Sequence, residues 1–271
     1  MTYGTWRRVV DDAHYPDIAQ EIGLLHAGPG AGVQDEPFEV IARSDSEDQA
    51  MAWSPNGRWI AFHSHREQSD DVWLRPADAS RPDRRVSFLG RGAEVGWPRW
   101  SPDGTTVAFG GASPRNGQGV IFTIPVSQDT GEAGAAREVA ITGVDAEWTS
   151  AEWLPDSRTL VALGKTGPGQ HAIVMVPAAG GPATVLRRVA TEHDFPGLAV
   201  SPDGRQLAFV APAGNGWFQV FRAPFAGAGE PVQLTRDAGH KSQPAWAPDG
   251  QRVAYTVWSY DAQFWAWRPA R

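Results

Sequence analysis

The chain has 271 residues, a formal net charge of −7 and no cysteine. The acidity argues against a nucleic-acid surface, which needs clustered Lys and Arg to meet phosphates, and the missing thiols exclude disulfides, thiolate metal sites and cysteine nucleophiles. With 30 Gly, 22 Pro and 13 Trp against 3 Met, the composition suits short strands joined by tight turns better than a helical bundle or a disordered chain. The opening segment lacks the apolar core of a signal peptide, and no apolar run approaches membrane-spanning length. A soluble, cytoplasmic protein with neither nucleic-acid nor membrane partners is therefore expected.

In chain order, the first apolar stretch runs from Gly4 to Val10, and further strand-like runs follow at 22–25 and 38–41. A short motif then recurs five times, beginning at Trp53, Trp100, Trp153, Val200 and Trp246. In its fullest form it reads Trp-Ser-Pro-Asp-Gly, as at Trp100 to Gly104. Pro presets a turn, Asp or Asn bonds back to the local backbone, and Gly accepts a positive φ. After each copy comes a β-branched and aromatic run, at 59–62, 106–109, 160–163, 207–210 and 253–257. Third strands are expected at 72–75, 120–126, 172–176, 218–221 and 264–267, and outer strands at 85–88, 138–141, 184–187 and 232–235.

A spacing of about fifty residues with four strands per unit is that of a β-propeller blade. The expected architecture is a single all-β propeller over 1–271 with six blades of four antiparallel strands. Residues 1–46 would form a degenerate first blade without its inner strand, and 47–271 the five motif-bearing blades. A five-bladed ring, in which 38–41 completes the last blade, is the alternative count.

The repeated motif followed by an Ala-Phe strand, clearest at 53–64 and 100–110 and continued by Ser64, His65, Arg66, Asp71, Val72 and Trp73, resembles the TolB-like (WD40-like, PD40-repeat) propeller family. The resemblance covers residues 38–271 well and 1–37 weakly. It implies a propeller fold but no particular activity, because the repeat serves scaffolds, accessory proteins, peptidase gating domains and a few lyases.

In such a fold, the loops entering the inner strands and the loops between second and third strands open on one face, with the motif turns on the other. The entry loops are acidic, with Glu94, Asp145, Glu147 and Asp194 among them. Together with Trp97, Trp148, Trp217 and Trp258, which fall out of phase with the packing tryptophans, they are the candidate ligand-binding residues. His193 and His240 occupy matching places in successive repeats and are the candidate general base and partner if the protein is an enzyme. Weak metal-ligand candidates are His63 and His65, two apart at a strand end and so on one face, with His193, Asp194 and His240. Such a set would suit Ca²⁺, Mn²⁺ or Zn²⁺. No nucleophile elbow, zinc-protease helix or phosphate loop is present.

These features point to a non-enzymatic module that holds a protein, peptide or small ligand at an acidic channel mouth, with a preference for cationic partners. A metal-assisted lyase or hydrolase of carbohydrates or small metabolites is the alternative. Pairing of an exposed outer strand edge with a partner, or in a homodimer, is a third expectation.

Overall fold

The structure, a computed structural model, describes residues 2–8, 20–26, 38–44, 48–66, 69–90, 94–190, 197–214, 216–225, 229–258 and 263–267. Among them the chain forms six antiparallel sheets in succession. The first holds β1 (Thr2–Arg8), β2 (Gln20–His26) and β3 (Phe38–Ser44). The second holds β4 (Asp48–Trp53), β5 (Trp59–Ser64), β6 (Asp71–Pro76) and β7 (Arg84–Arg85), and the third β8 (Arg99–Trp100), β9 (Thr106–Ala112), β10 (Gly119–Pro125) and β11 (Arg137–Glu138). After the short β12 (Ile141–Thr142), the fourth sheet is built from β13 (Glu147–Trp153), β14 (Thr159–Gly167) and β15 (Gln170–Pro177). It is completed, beyond the short β16 (Gly181–Pro182), by β17 (Thr184–Ala190). The fifth holds β18 (Leu198–Val200), β19 (Gln206–Pro212), β20 (Phe218–Pro224) and β21 (Val232–Gln233), and the sixth β22 (His240–Trp246), β23 (Val253–Trp258) and β24 (Gln263–Trp267). Each sheet runs in simple sequence order from inner to outer strand, so the architecture is an all-β propeller arrangement. The segment β3, which would complete the last sheet in a five-bladed ring, pairs with β2.

The middle strands read as unbroken apolar runs because both of their faces are covered, and alternate side chains go to opposite neighbours. Val107 and Phe109 pack with Trp59, Ala61 and Leu74 of the second sheet, whereas Ala108 packs with Leu160 and Ala162 of the fourth. Val161 and Leu163 turn the other way, toward Leu207 and Phe209 of the fifth sheet. Ala208 and Val210 then meet Val253 of the sixth. The core is thus a series of layers, each held between two consecutive sheets.

The motif turns are closed by one hydroxyl. Ser101 is fully buried; its Oγ donates to Asp103 Oδ1 at 2.6 Å and accepts from the Thr106 amide at 3.0 Å. Its backbone amide donates to Thr106 O at 2.7 Å, and Gly104, at φ 70°, donates to Ser101 O at 2.8 Å. Ser54 and Ser201 repeat this arrangement with Asn56 and Asp203. Where the hydroxyl is missing, the same backbone turn closes on Leu154 and Ala247. At Leu154 the carboxylate of Asp156 takes over, accepting from the Arg158 and Thr159 amides at 2.9 Å each. Ser157 stands there in place of Gly at φ 56°.

Two motif tryptophans also stitch sheet to sheet: Trp153 Nε1 donates to Arg99 O at 3.0 Å and Trp246 Nε1 to Ala199 O at 3.3 Å. Outer strands are latched by a polar pair at the third strand. In the second sheet, Ser87 Oγ accepts from the Val72 amide and donates to the buried Asp71, which is also met by Arg85. Thr235, Val220 and Gln219 repeat this in the fifth.

Burial works against ionisation at Asp103, but the hydrogen bonds from Ser101 and Thr105 outweigh it and hold the carboxyl below its ordinary value. Its contribution to stability is present above the ordinary carboxylate range and is lost as pH falls through the lowered value. Ser101→Ala should therefore cost about 1–3 kcal/mol of unfolding free energy at pH 7, with a deficit that narrows as the pH is lowered toward 3. Urea denaturation across that range measures both.

Candidate functional site

The strand registers show which loops share an end of the propeller. Asp48 stands opposite Ser64, Glu147 opposite Lys165, and His240 opposite Trp258. Entry loops and the loops between second and third strands therefore lie together, as the repeat implies.

At this end a cleft of about 1090 Å³ opens where the third and fourth sheets meet. Its walls include Phe122 of β10, Arg137 and Glu138 of β11, Arg115 in the loop before β10, Asp145 and Trp148 at the entry to β13, and Lys165 near the end of β14. Glu138 accepts a hydrogen bond from Ser113 at 2.8 Å and lies 3.6 Å from Arg115. Asp145 and Lys165 are exposed. The described cleft thus carries Arg115, Arg137 and Lys165 beside Glu138 and Asp145. It is mixed in charge, where the entry loops alone suggested an acidic surface. Arg137 and Glu138 escape a reading of the loops because they sit on the short outer strand.

Trp148 is placed differently from a free stacking platform. It is 6% exposed and belongs to the core between the third and fourth sheets, presenting one edge to the cleft. Its ring lies on Gly164, where an added Cβ would come within 2.7 Å of the indole. Of the other tryptophans, Trp97 is half-buried. Trp217 is 37% exposed and meets the His240 ring edge-on at 4.9 Å. Trp258 is His240's register partner on β23. The structure thus brings Trp217, His240 and the backbone of Trp258 together at the start of the sixth sheet. The His240 Nδ1 accepts from the Phe218 amide at 3.3 Å, leaving Nε2 for any other partner.

Glu94 is exposed, and its carbonyl accepts from the Ala112 amide at 2.9 Å, which holds the entry segment against β9. Glu147 is placed on β13 by its register. His193 and Asp194 lie outside the described residues. His63 and His65 both reach Asp70, the first at 3.4 Å and the second through Nδ1. Among the described residues no three His, Asp or Glu side chains are arranged to hold a metal ion.

Two further charges are drawn inward. Lys241, fully buried, donates to the carbonyls of Ala238 and Gly239 at 2.9 and 3.0 Å and pairs with Asp237 Oδ2 at 2.9 Å, fixing the entry loop of the sixth sheet. On the inner strands Arg99 Nε donates to Glu152 across the third and fourth sheets. Burial pushes the Glu152 carboxyl above its ordinary value even with the Arg99 charge beside it.

No family model matches the chain. Among curated proteins it is similar to the uncharacterized peptidase YuxL of Bacillus subtilis (strain 168), 26% identical over 166 residues, which are 59% of this chain and 21% of that protein. The chain thus spans about a fifth of that relative's length. Among solved structures it is similar to TolB from Acinetobacter baumannii, with a TM-score of 0.74 at 18% identity over 98% of this chain and 60% of that one. It is similar too to a putative TolB from Agrobacterium tumefaciens, with a TM-score of 0.66 at 22% identity over 83% and 75% of the two chains. An oligogalacturonate lyase in complex with manganese matches with a TM-score of 0.54 at 15% identity over 99% and 71%. The fold is a β-propeller. More narrowly, the fold is similar to that of the two TolB structures.

Two outcomes test this geometry. Gly164→Ala should press on Trp148 and cost about 1–3 kcal/mol through overpacking, read by urea denaturation with indole fluorescence. For Glu152, the folded state favours the neutral acid, so its contribution to stability grows as pH falls toward the raised value and is lost at higher pH. Wild type should therefore gain stability relative to Glu152→Gln between pH 7 and pH 5, a comparison made by denaturation at the two pH values.

Proposed function

We propose that this propeller is a binding module that holds a protein or peptide segment in the cleft at its loop face. The observation that carries the reading is the cleft itself, large enough for several residues and lined by both charge signs together with the Phe122 and Trp148 rings. In the cleft Asp145, with Glu94, Glu147 and Asp194 of the entry loops as further acidic residues, favours cationic groups of the partner. Arg115, Arg137 and Lys165 favour carboxylates, so a segment carrying both fits best. The likeness to TolB structures supports the propeller framework of this reading and supplies no partner.

The test is thermal unfolding of chelator-treated protein with short peptides bearing both Lys and Glu, and separately with oligogalacturonate in the presence and absence of Mn²⁺. A saturable peptide-dependent stabilisation is expected, about 2.7 kcal/mol at a hundredfold excess over Kd. It should be lost in Asp145→Ala/Lys165→Ala, which alters only exposed side chains. Stabilisation by Mn²⁺ alone, or formation of product from the sugar acid, would replace this reading with the metal-assisted lyase.

A further inference from the structure

We propose that the outer edge of the fourth sheet is a second docking site, independent of the cleft, where an extended acidic segment of a partner protein adds as a strand along β17. Propellers normally leave only short, protected edges. Here β7, β11 and β21 have two residues each, whereas β17, like β3 at the edge of the first sheet, has seven. It is held on its inner side by pairing with β15 from Gln170–Ala190 to Met175–Thr184, with a register shift at Leu186. Leu186 and Val189 anchor it in the layer between the fourth and fifth sheets. Among the described residues no strand lies along its outer side.

The chain itself shows that this line of backbone accepts a strand. Just before β17, β12 pairs in parallel with β16: the Gly181 amide donates to Ala140 O and the Ala183 amide to Thr142 O, both at 2.8 Å. At Gly143, φ 82°, the chain turns away toward β13. By the two-residue alternation of a strand, the next amide on the same edge after Gly181 and Ala183 is that of Val185. Its side chain is 37% exposed. A partner strand would carry on the pairing that β12 begins and leaves.

Charge selects the occupant. The protein is acidic overall, yet between Asp156 and Glu192 the sequence holds no Asp or Glu, while Arg158, Lys165, Arg187 and Arg188 all fall in that span. Arg187 is engaged with Gly229 O at 2.9 Å. Arg188 is exposed on the edge strand itself. Backbone pairing supplies affinity, and Arg188, the exposed cation of the edge, selects for a carboxylate on the added strand where no acidic side chain of this span competes.

The experiment uses the full chain and a fluorescein-labelled octapeptide of alternating Val and Glu, read by fluorescence anisotropy. The Val/Glu peptide should bind at least tenfold more tightly than its Val/Lys counterpart, and Arg188→Glu should abolish the difference. Two versions of the peptide, N-methylated at alternate residues along one edge or the other, keep every charge and side chain. One should lose at least tenfold in affinity and the other stay within twofold, because only one edge faces β17. Val185→Pro should weaken binding as much as the damaging methylation. If that variant fails to fold, the methylated peptides still decide. Absence of Val/Glu binding at millimolar concentration, equal binding of both methylated peptides, or equal binding of the Val/Lys peptide would overturn the proposal. So would a sedimenting dimer that Val185→Pro dissociates, which would give the edge to a second copy of this chain.

Discussion

Burial of both faces of the central strands in the second to fifth sheets is the constraint on which the rest of this structure depends. Phe109 and Ala108 are neighbours in sequence but serve different layers, one toward the second sheet and the other toward the fourth. A sheet in this position has no solvent face on which polar residues could alternate, so its middle strands must be apolar throughout. Side-chain size can alternate instead: large residues fill one layer and alanines let the other sheet come close. Polar groups then have to be confined to turns, strand ends and latches, where hydroxyls and carboxylates satisfy the backbone.

This confinement explains why the fold was legible in the sequence. The motif marks the one place in each unit where a buried hydroxyl, an acidic cap and a positive φ must coincide, and it recurs because the geometry recurs. The copies that depart from it are equally informative. Leu154 and Ala247 keep the backbone turn without the hydroxyl, so the Ser strengthens a turn whose path is set by the two strands it joins. The short outer strands were less legible. Two-residue pairings such as β7 and β21 depend on the latches of Ser87 to Asp71 and Thr235 to Gln219, which join residues some sixteen apart and leave no local periodicity. The parallel β12–β16 pairing has no local signal either, since it joins the link between two sheets to a hairpin in the second of them.

The functional face was legible in outline only. Topology alone predicts that entry loops and second-to-third-strand loops meet, and the register pairs Glu147 with Lys165 and His240 with Trp258 accordingly. What a list of loop residues cannot supply is depth. Trp148 breaks the phase of the packing tryptophans yet lies in the core, because Gly164 opposite gives its ring room. The carboxylates read as a single acidic surface until Arg137 of a neighbouring outer strand joins Arg115 and Lys165 in the same cleft. Lys241, near the start of an inner strand, turns its ammonium inward onto carbonyls of the loop before it.

That inward turn has a chemical consequence. The sequence contains only two lysines, Lys165 and Lys241. With Lys241 sealed from solvent and its donors spent on carbonyls, the folded protein offers a single lysine amine to any acylating reagent, crosslinker or modifying enzyme. That amine belongs to Lys165, in the wall of the cleft. Among side chains, amine-directed chemistry on the native protein is thereby addressed to one position, and a probe attached there reports from within the cleft.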